Sequence, residues 1–206
     1  MPIKFVFDLD MTLYSKFDFR QCATDEKYYN SFKQKHFLHA ILARIPHEKF
    51  ILTNATKDHA LDVSKRIGIL PDIPESHIFS IDMADKSMNV MKPDPIMYHM
   101  AIKKFGITSE DTIYYFEDLA ENLQPVKKLY KNWITIWICP DKERRKRFPK
   151  YVDHIYPSIE CALLDIASKF LELKQTPKPR MVAEAVPKKP GDEKAPSKVK
   201  ELPRDQ

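Results

Sequence analysis

Cysteine is scarce in this chain. Cys22, Cys139 and Cys161 are the only three in 206 residues, and they stand far apart. That spacing excludes a disulfide framework and a cysteine-built zinc cluster, and it fits reduced thiols inside a cell. Long apolar runs are absent as well: no stretch approaches the ~20 residues that cross a bilayer. The first residues lack a basic start followed by an apolar stretch, so secretion is not expected, and a cytoplasmic, membrane-free protein is. Glycine is limited to three positions, and two of them, Gly68 and Gly106, stand where a left-handed helix cap is wanted.

Charge is present but modest, at +5, and its placement divides the chain. From about Thr176 the sequence runs TPKPRMVAEAVPKKPGDEKAPSKVKELPRDQ, rich in Pro and Lys and poor in large apolar residues. Such a segment buries too little surface to offset its conformational entropy. Residues 173–206 are therefore expected to be a disordered tail and residues 1–172 the folded domain. A basic tail of this kind is a solubilising segment or a contact for nucleic acid or an acidic protein.

Within the folded part, strand-like runs recur at 3–9, 50–53, 77–81, 112–116 and 133–138, with a weaker one at 154–156. Helical patterns lie between them at 25–44, 57–67, 95–105 and 120–130. Asn132 is expected to end the last of these in a left-handed conformation. The alternation predicts an α/β fold, a Rossmann-like three-layer α/β/α sandwich around a mainly parallel sheet. In such sheets, ligands sit beyond the carboxyl ends of the strands.

What stands at those ends is specific. The first strand, in FVFDLDMTLY, ends in Asp8 and Asp10 with Thr12 beyond. The second ends in Thr53 and Asn54. Lys92 follows the third, in MKPDP, with Lys86 as a nearby rival. The fourth ends in Glu117 and Asp118. Four carboxylates on one edge repel one another and call for a cation; an oxygen-rich site that also admits a substrate suggests Mg²⁺. Lys92 and the Thr53 hydroxyl are then free to hold a dianionic group, most naturally phosphoryl oxygens.

DLDMT, LTN, the lysine of KPDP, and FED, in that order, resemble the four motifs of the haloacid dehalogenase-like superfamily, most of whose members are Mg²⁺-dependent phosphatases. FDLDMTLY, LTNATKDHA and MKPDP are similar to its pyrimidine 5′-nucleotidase-like branch. The resemblance covers roughly residues 3–140. It implies that Asp8 is the nucleophile and forms an aspartyl-phosphate. Asp10 would be general acid and then general base. Asp8, the Asp10 main-chain carbonyl and Asp118 would hold Mg²⁺, with Thr12, Glu117 and Asn122 orienting them. Thr53, Asn54 and Lys92 would bind the phosphoryl group. The implied substrate is a small phosphorylated metabolite such as a nucleoside 5′-monophosphate. A phosphorylated nucleic-acid end or phosphoprotein is the alternative, and a non-catalytic scaffold the third reading.

Two departures from that family are visible. Met11 stands where the branch usually carries Asn or Gly. The helical insert at 13–48, in the position of a substrate-selecting cap, is short, so the cap is minimal or absent. Phe17, Phe19, Tyr28, Tyr29, Phe32 and Phe37 in this insert read as an apolar helix face, with a stacking platform for a base as the alternative. His36, His39 and His59 read as structural histidines rather than metal ligands. Arg144, Arg145 and Arg147 form a basic run after the fifth strand, either solvated or facing phosphates of an extended substrate.

Overall fold

The first strand is apolar on both sides and is therefore built for the middle of a sheet covered on both faces. In the computed structural model, which describes residues 1–15, 25–84 and 90–168, β1 (Ile3–Phe7) is central. It is flanked by β2 (Glu48–Leu52) and β4 (Thr112–Glu117), with Val6 level with Phe50 on one side and Tyr115 on the other. Beyond them lie β3 (Ile78–Phe79), β5 (Trp133–Ile138) and β6 (His154–Tyr156). All pairings are parallel, in the order β3-β2-β1-β4-β5-β6. Successive chain crossings run outward from β1 to β3 and then restart at β4, so the topological switch lies between β1 and β4. All the described residues belong to one compact unit, Met1–Glu172.

Six helices accompany the sheet among the described residues. They are α1 (Asp25–Asn30), α2 (His36–Leu42), α3 (Lys57–Ile67), α4 (Pro95–Phe105), α5 (Ala120–Leu129) and α6 (Ile159–Ser168). Phe5 and Phe7 meet α2, α3 and α6 on one face; Val6 faces α4 and α5 on the other. Burying each Phe contributes about 1.5–3 kcal/mol, which fixes the strand that ends in Asp8 more firmly than any loop could. The Thr56 hydroxyl caps α3 by accepting from His59 N–H, and Gly68 ends it at φ +83°. Asp94 caps α4, with Pro95 in its first turn, and Gly106 ends it at φ +59°. Gly68 and Gly106 are the caps the sequence predicts; Thr56 and Asp94 add the N-terminal ones.

Two local expectations fail and one helix was not foreseen. The helix expected over 25–44 is two: the Ser31 hydroxyl turns back to the Tyr28 carbonyl, and Lys35 N–H goes to Ile67 O at 2.9 Å instead of continuing a helix. Phe32, in the break, sits edge-on to Tyr14 and Tyr28, so tertiary contact overrides the helical pattern. Asn132 is not left-handed; α5 stops at Leu129 with Tyr130 at φ −130°, and the Asn132 amide bonds to the Ser109 and Asp111 carbonyls. Finally, α6 was not predicted, although Ser158 stands before it and accepts from Cys161 N–H at 3.3 Å. Phe17, Phe19, Cys22, Lys86 and the tail at 173–206 lie outside the described residues.

Met11 has φ +67°, the left-handed region, in the turn that Leu13 N–H closes on Leu9 O at 3.0 Å. Asn tolerates that region far better than Met does. Met11→Asn is therefore expected to stabilise the protein by about 1 kcal/mol, a rise of roughly 2–4 °C in melting temperature. Thermal unfolding checks this, and an unchanged or lower midpoint would contradict it.

Candidate active site

Rigid strand ends bring the predicted side chains to one edge. Asp8 N–H still donates to Phe116 O, at 2.9 Å, so Asp8 is the last residue held by the β1–β4 ladder, at the switch point. From the following turn, Thr12 donates its hydroxyl to Asp8 Oδ2 at 3.0 Å. Lys92 Nζ lies 2.6 Å from Asp8 Oδ1, 2.7 Å from Glu117 Oε1 and 2.9 Å from Leu52 O, which uses its three donors. Lys92 thus fills the lysine position among the described residues, while Lys86 lies outside them. Asp8, Lys92 and Glu117 are 5%, 3% and 0% exposed, so this ion cluster is dry.

The neighbours lock that geometry. Asn122, on α5, donates to Glu117 Oε1 at 2.6 Å, and Leu119 N–H donates to Oε2 at 2.9 Å. Asn54, expected at the phosphoryl group, has both ends of its amide on the Lys92 backbone, at 2.8 and 3.0 Å. Asn54 thereby sets where Lys92 starts. Thr53 is fully buried; its Oγ accepts from Ala55 N–H and donates to Asp10 Oδ2 at 3.3 Å.

Asp8, Glu117 and Asp118 each offer an oxygen within 4.8 Å of the others, and such a cluster can hold a metal ion. Hard carboxylate oxygens suit Mg²⁺. Because Glu117 already accepts from Lys92, Tyr115, Leu119 and Asn122, Asp8 and Asp118 are the carboxylates better placed to ligate. The Asp10 side chain is not in this cluster, so any metal bond from Asp10 falls to its main-chain carbonyl.

The electrostatics match an acidic site awaiting a cation. Burial pushes the Asp8 carboxyl up to about 7, against the pull of Lys92, with Glu117 adding to the rise. Burial also pushes Asp118 up to about 8, helped by the charges of Glu117 and Asp8. For Lys92, burial works against the ammonium, but Asp8 and Glu117 outweigh it and hold it above the usual lysine range. Asp10 behaves oppositely. Burial opposes its charge, yet hydrogen bonds from His59, Tyr14 and Thr53 keep it below the usual carboxylate range.

Two of those Asp10 partners escaped the sequence reading. Tyr14 donates to Asp10 Oδ1 from four residues on, and His59 Nε2 lies 2.9 Å from the same oxygen. His59, expected only to help seat its helix, thus touches a candidate acid/base residue. The signal available was its place in the first turn of α3, just beyond a site strand. Tyr29 OH lies 2.8 Å from His59 Nδ1, and Tyr28, Tyr29 and Phe32 gather with Tyr14 rather than forming a plain helix stripe. Phe37 is 60% exposed and takes no part.

Two clefts flank the site. One, of about 610 Å³, is lined by Asp10, Tyr28, Tyr29, His59 and residues 54–56. The other, of about 650 Å³, is lined by Met11, Thr12, Asp118, Lys35 and Arg144, among others. Arg144 lies over the Trp137 ring at 5.2 Å. Arg145 instead closes its own loop, donating to the Cys139 and Pro140 carbonyls at 2.6 and 2.7 Å. Among the described residues no helix is long and apolar enough to cross a membrane.

No family model and no curated protein matches the chain. Solved structures do. An L-2-haloacid dehalogenase from Xanthobacter autotrophicus is similar at a TM-score of 0.59 and 14% identity, over 81% of this chain and 99% of that one. The same enzyme with chloropropionic acid covalently bound gives the same values. A further dehalogenase structure matches at a TM-score of 0.52 and 16% identity, over 68% of this chain and 61% of that one.

Proposed function

We propose that this chain, whose fold is the haloacid dehalogenase-like one, is a Mg²⁺-dependent phosphomonoester hydrolase working through an aspartyl-phosphate on Asp8. The observation that carries this reading is the meeting of Asp8, Glu117 and Asp118 within 4.8 Å, with the buried Lys92 ammonium between two of them. Asp8 and Asp118 would hold Mg²⁺, which supplies the charge that cancels acid–acid repulsion and stabilises phosphoryl oxygens.

The chain's own residues account for the rest. An Asp8 oxygen attacks phosphorus as the ester P–O bond breaks, and Asp10 gives its proton to the departing oxygen. Asp10 then takes a proton from water, the water oxygen attacks the acyl phosphate, and the bond between Asp8 and phosphorus breaks to release phosphate. Thr53 holds the transferring group, and the charge of the nearby Lys92 ammonium offsets the negative charge on it. Asp10 is kept ionised in the free protein; a phosphoryl dianion seated beside Thr53 adds negative charge next to it and raises it toward protonation.

The presence of Asp10 also separates two chemistries. A halide leaves without needing a proton, whereas an alkoxide needs one, so a second carboxylate beside the nucleophile suits ester cleavage. A nucleoside 5′-monophosphate is the substrate class we rank first, and the scarcity of cysteine supports action inside the cell. A screen with nucleoside monophosphates, sugar phosphates, phosphopeptides and 2-chloropropionate, with and without Mg²⁺, tests the proposal. Monoester turnover that depends on Mg²⁺ supports it; chloride release alone, or no monoester turnover, refutes it.

A pH dependence follows. Unfolded Asp ionises near 4, whereas folded Asp8 and Asp118 keep their protons up to about 7 and about 8. Without a cation, this pair favours the fold at low pH and loses that contribution as pH rises through those values. Mg²⁺ needs the ionised oxygens, so its affinity rises over the same window. The melting-temperature gain on adding Mg²⁺ is therefore expected to grow from about pH 6 to about pH 8.5. A gain independent of pH would contradict it.

A further inference from the structure

We infer that His59, backed by Tyr29, is a positioning residue that fixes which oxygen of Asp10 faces the leaving group. The inference rests on the hydrolase reading and goes beyond it, because it assigns the acid/base step to an arrangement spread over three elements.

Asp10 sits in a turn, its side chain 37% exposed, and that turn supplies one donor to its carboxylate, the Tyr14 hydroxyl. Donors from three places together select one rotation of the carboxylate. His59 from α3 and Tyr14 from the end of the turn both occupy Oδ1, while Oδ2 has only the long 3.3 Å bond from Thr53. A carboxylate only accepts, so His59 must present Nε2 as a donor. With Oδ1 taken twice, Oδ2 is the oxygen left to exchange a proton, and it lies beside Thr53, where the phosphoryl group is expected. The leaving group then falls in the cleft of about 610 Å³ that Asp10, His59, Tyr28 and Tyr29 share.

His59 is itself held. Its Nδ1 meets Tyr29 OH at 2.8 Å, and a phenol can donate or accept there, so the ring stays oriented in either form. Tyr29 is fastened in turn by Arg66, which donates to the Tyr29 carbonyl at 3.1 Å and lies over its ring at 5.6 Å. Arg66 is anchored on α3 by Asp62 at 2.8 Å. The short helix α1, which occupies the position of a cap, is thus tied to α3 where it braces the acid/base residue. Positioning of this kind matters because a small misplacement of a proton donor costs rate steeply.

The test compares kcat/KM for two esters whose leaving groups differ in their need for a proton. 4-Nitrophenyl phosphate releases a stable phenolate; glycerol phosphate must release an alcohol. His59→Ala is expected to lower kcat/KM for glycerol phosphate by about 10²-fold, as loss of a well-placed general acid does, and for the aryl ester by far less. His59→Gln, whose amide nitrogen reaches the same place and still donates, is expected to recover most of the loss. Tyr29→Phe should shift the alkyl-to-aryl ratio in the same direction as His59→Ala, by a smaller factor. Equal losses on both esters, or His59→Gln no better than His59→Ala, would overturn the inference. Should His59→Ala fail to fold, an unchanged ratio in Tyr29→Phe would overturn it equally. Wild-type protein inactive on every ester would remove the hydrolase reading and this inference together; active wild type with unmoved ratios removes only the inference.

Discussion

Asp8→Asn is expected to abolish ester turnover, by on the order of 10³-fold or more, in a protein that still folds. The amide cannot attack phosphorus, and no other carboxylate can take its place. Glu117 carries bonds from Lys92, Asn122 and Leu119, and Asp118 starts from the neighbouring strand end. Stability should survive because Lys92 keeps Glu117 and the Leu52 carbonyl, and an Asn oxygen can still accept from it. Without Mg²⁺ the variant should melt at or above the wild-type temperature at alkaline pH. There the wild type carries the full cost of ionising a carboxyl that burial pushes up to about 7. Turnover within about tenfold of wild type would rule out Asp8 as the nucleophile.

Lys92→Met has the largest expected effect on stability. The ammonium sits between two carboxylates that are themselves 5% and 0% exposed, so removing it leaves two buried like charges facing each other. Breaking a buried ion cluster from one side costs about 3–5 kcal/mol, a large share of the 5–15 kcal/mol typical of a domain. The expected drop in melting temperature is on the order of 10 °C at neutral pH without Mg²⁺. The sign with pH is definite. Asp8 loses the pull of Lys92 and rises further once it is gone, so the folded variant binds more protons than its unfolded chain. Its deficit therefore shrinks as pH falls toward 4 and is greatest above pH 8. Differential scanning calorimetry over that range checks it, and a variant that melts like wild type at alkaline pH would show that Lys92 does not bridge Asp8 and Glu117. Activity should be lost as well, since the phosphoryl group loses its nearest fixed cation.

Much of this site was legible because its chemistry is attached to strand ends. An apolar run that stops at Asp8 and Asp10, another that stops at Thr53, and a third that stops at Glu117 and Asp118 each betray themselves locally, by an abrupt change from buried to acidic or hydroxylated residues. A parallel sheet then has one edge on which to gather them. The caps at Gly68 and Gly106 were readable for the same reason, since each acts within a few residues. What was not legible depends on long-range meetings. His59 and Asp10 are 49 residues apart, and the one hint of their meeting is that His59 stands in the first helical turn after a site strand. The break between α1 and α2 follows from Lys35 finding the Ile67 carbonyl and Phe32 finding Tyr14, neither a local preference. Arg145 read as a free cation because its two carbonyl partners become visible only once the loop is closed. The positive φ of Met11 belongs with these, because a side chain that ordinarily avoids that region gives no warning of it.

The most direct measurement is chemical trapping of the acyl phosphate. Wild-type protein turning over its best monoester with Mg²⁺ is quenched and reduced with borohydride, which converts an aspartyl-phosphate to homoserine, and the peptide carrying residues 5–14 is sequenced by mass spectrometry. Homoserine at position 8, absent when substrate or Mg²⁺ is withheld, is the predicted result. Monoester hydrolysis that proceeds with no homoserine, or with homoserine at position 10 instead, would contradict it.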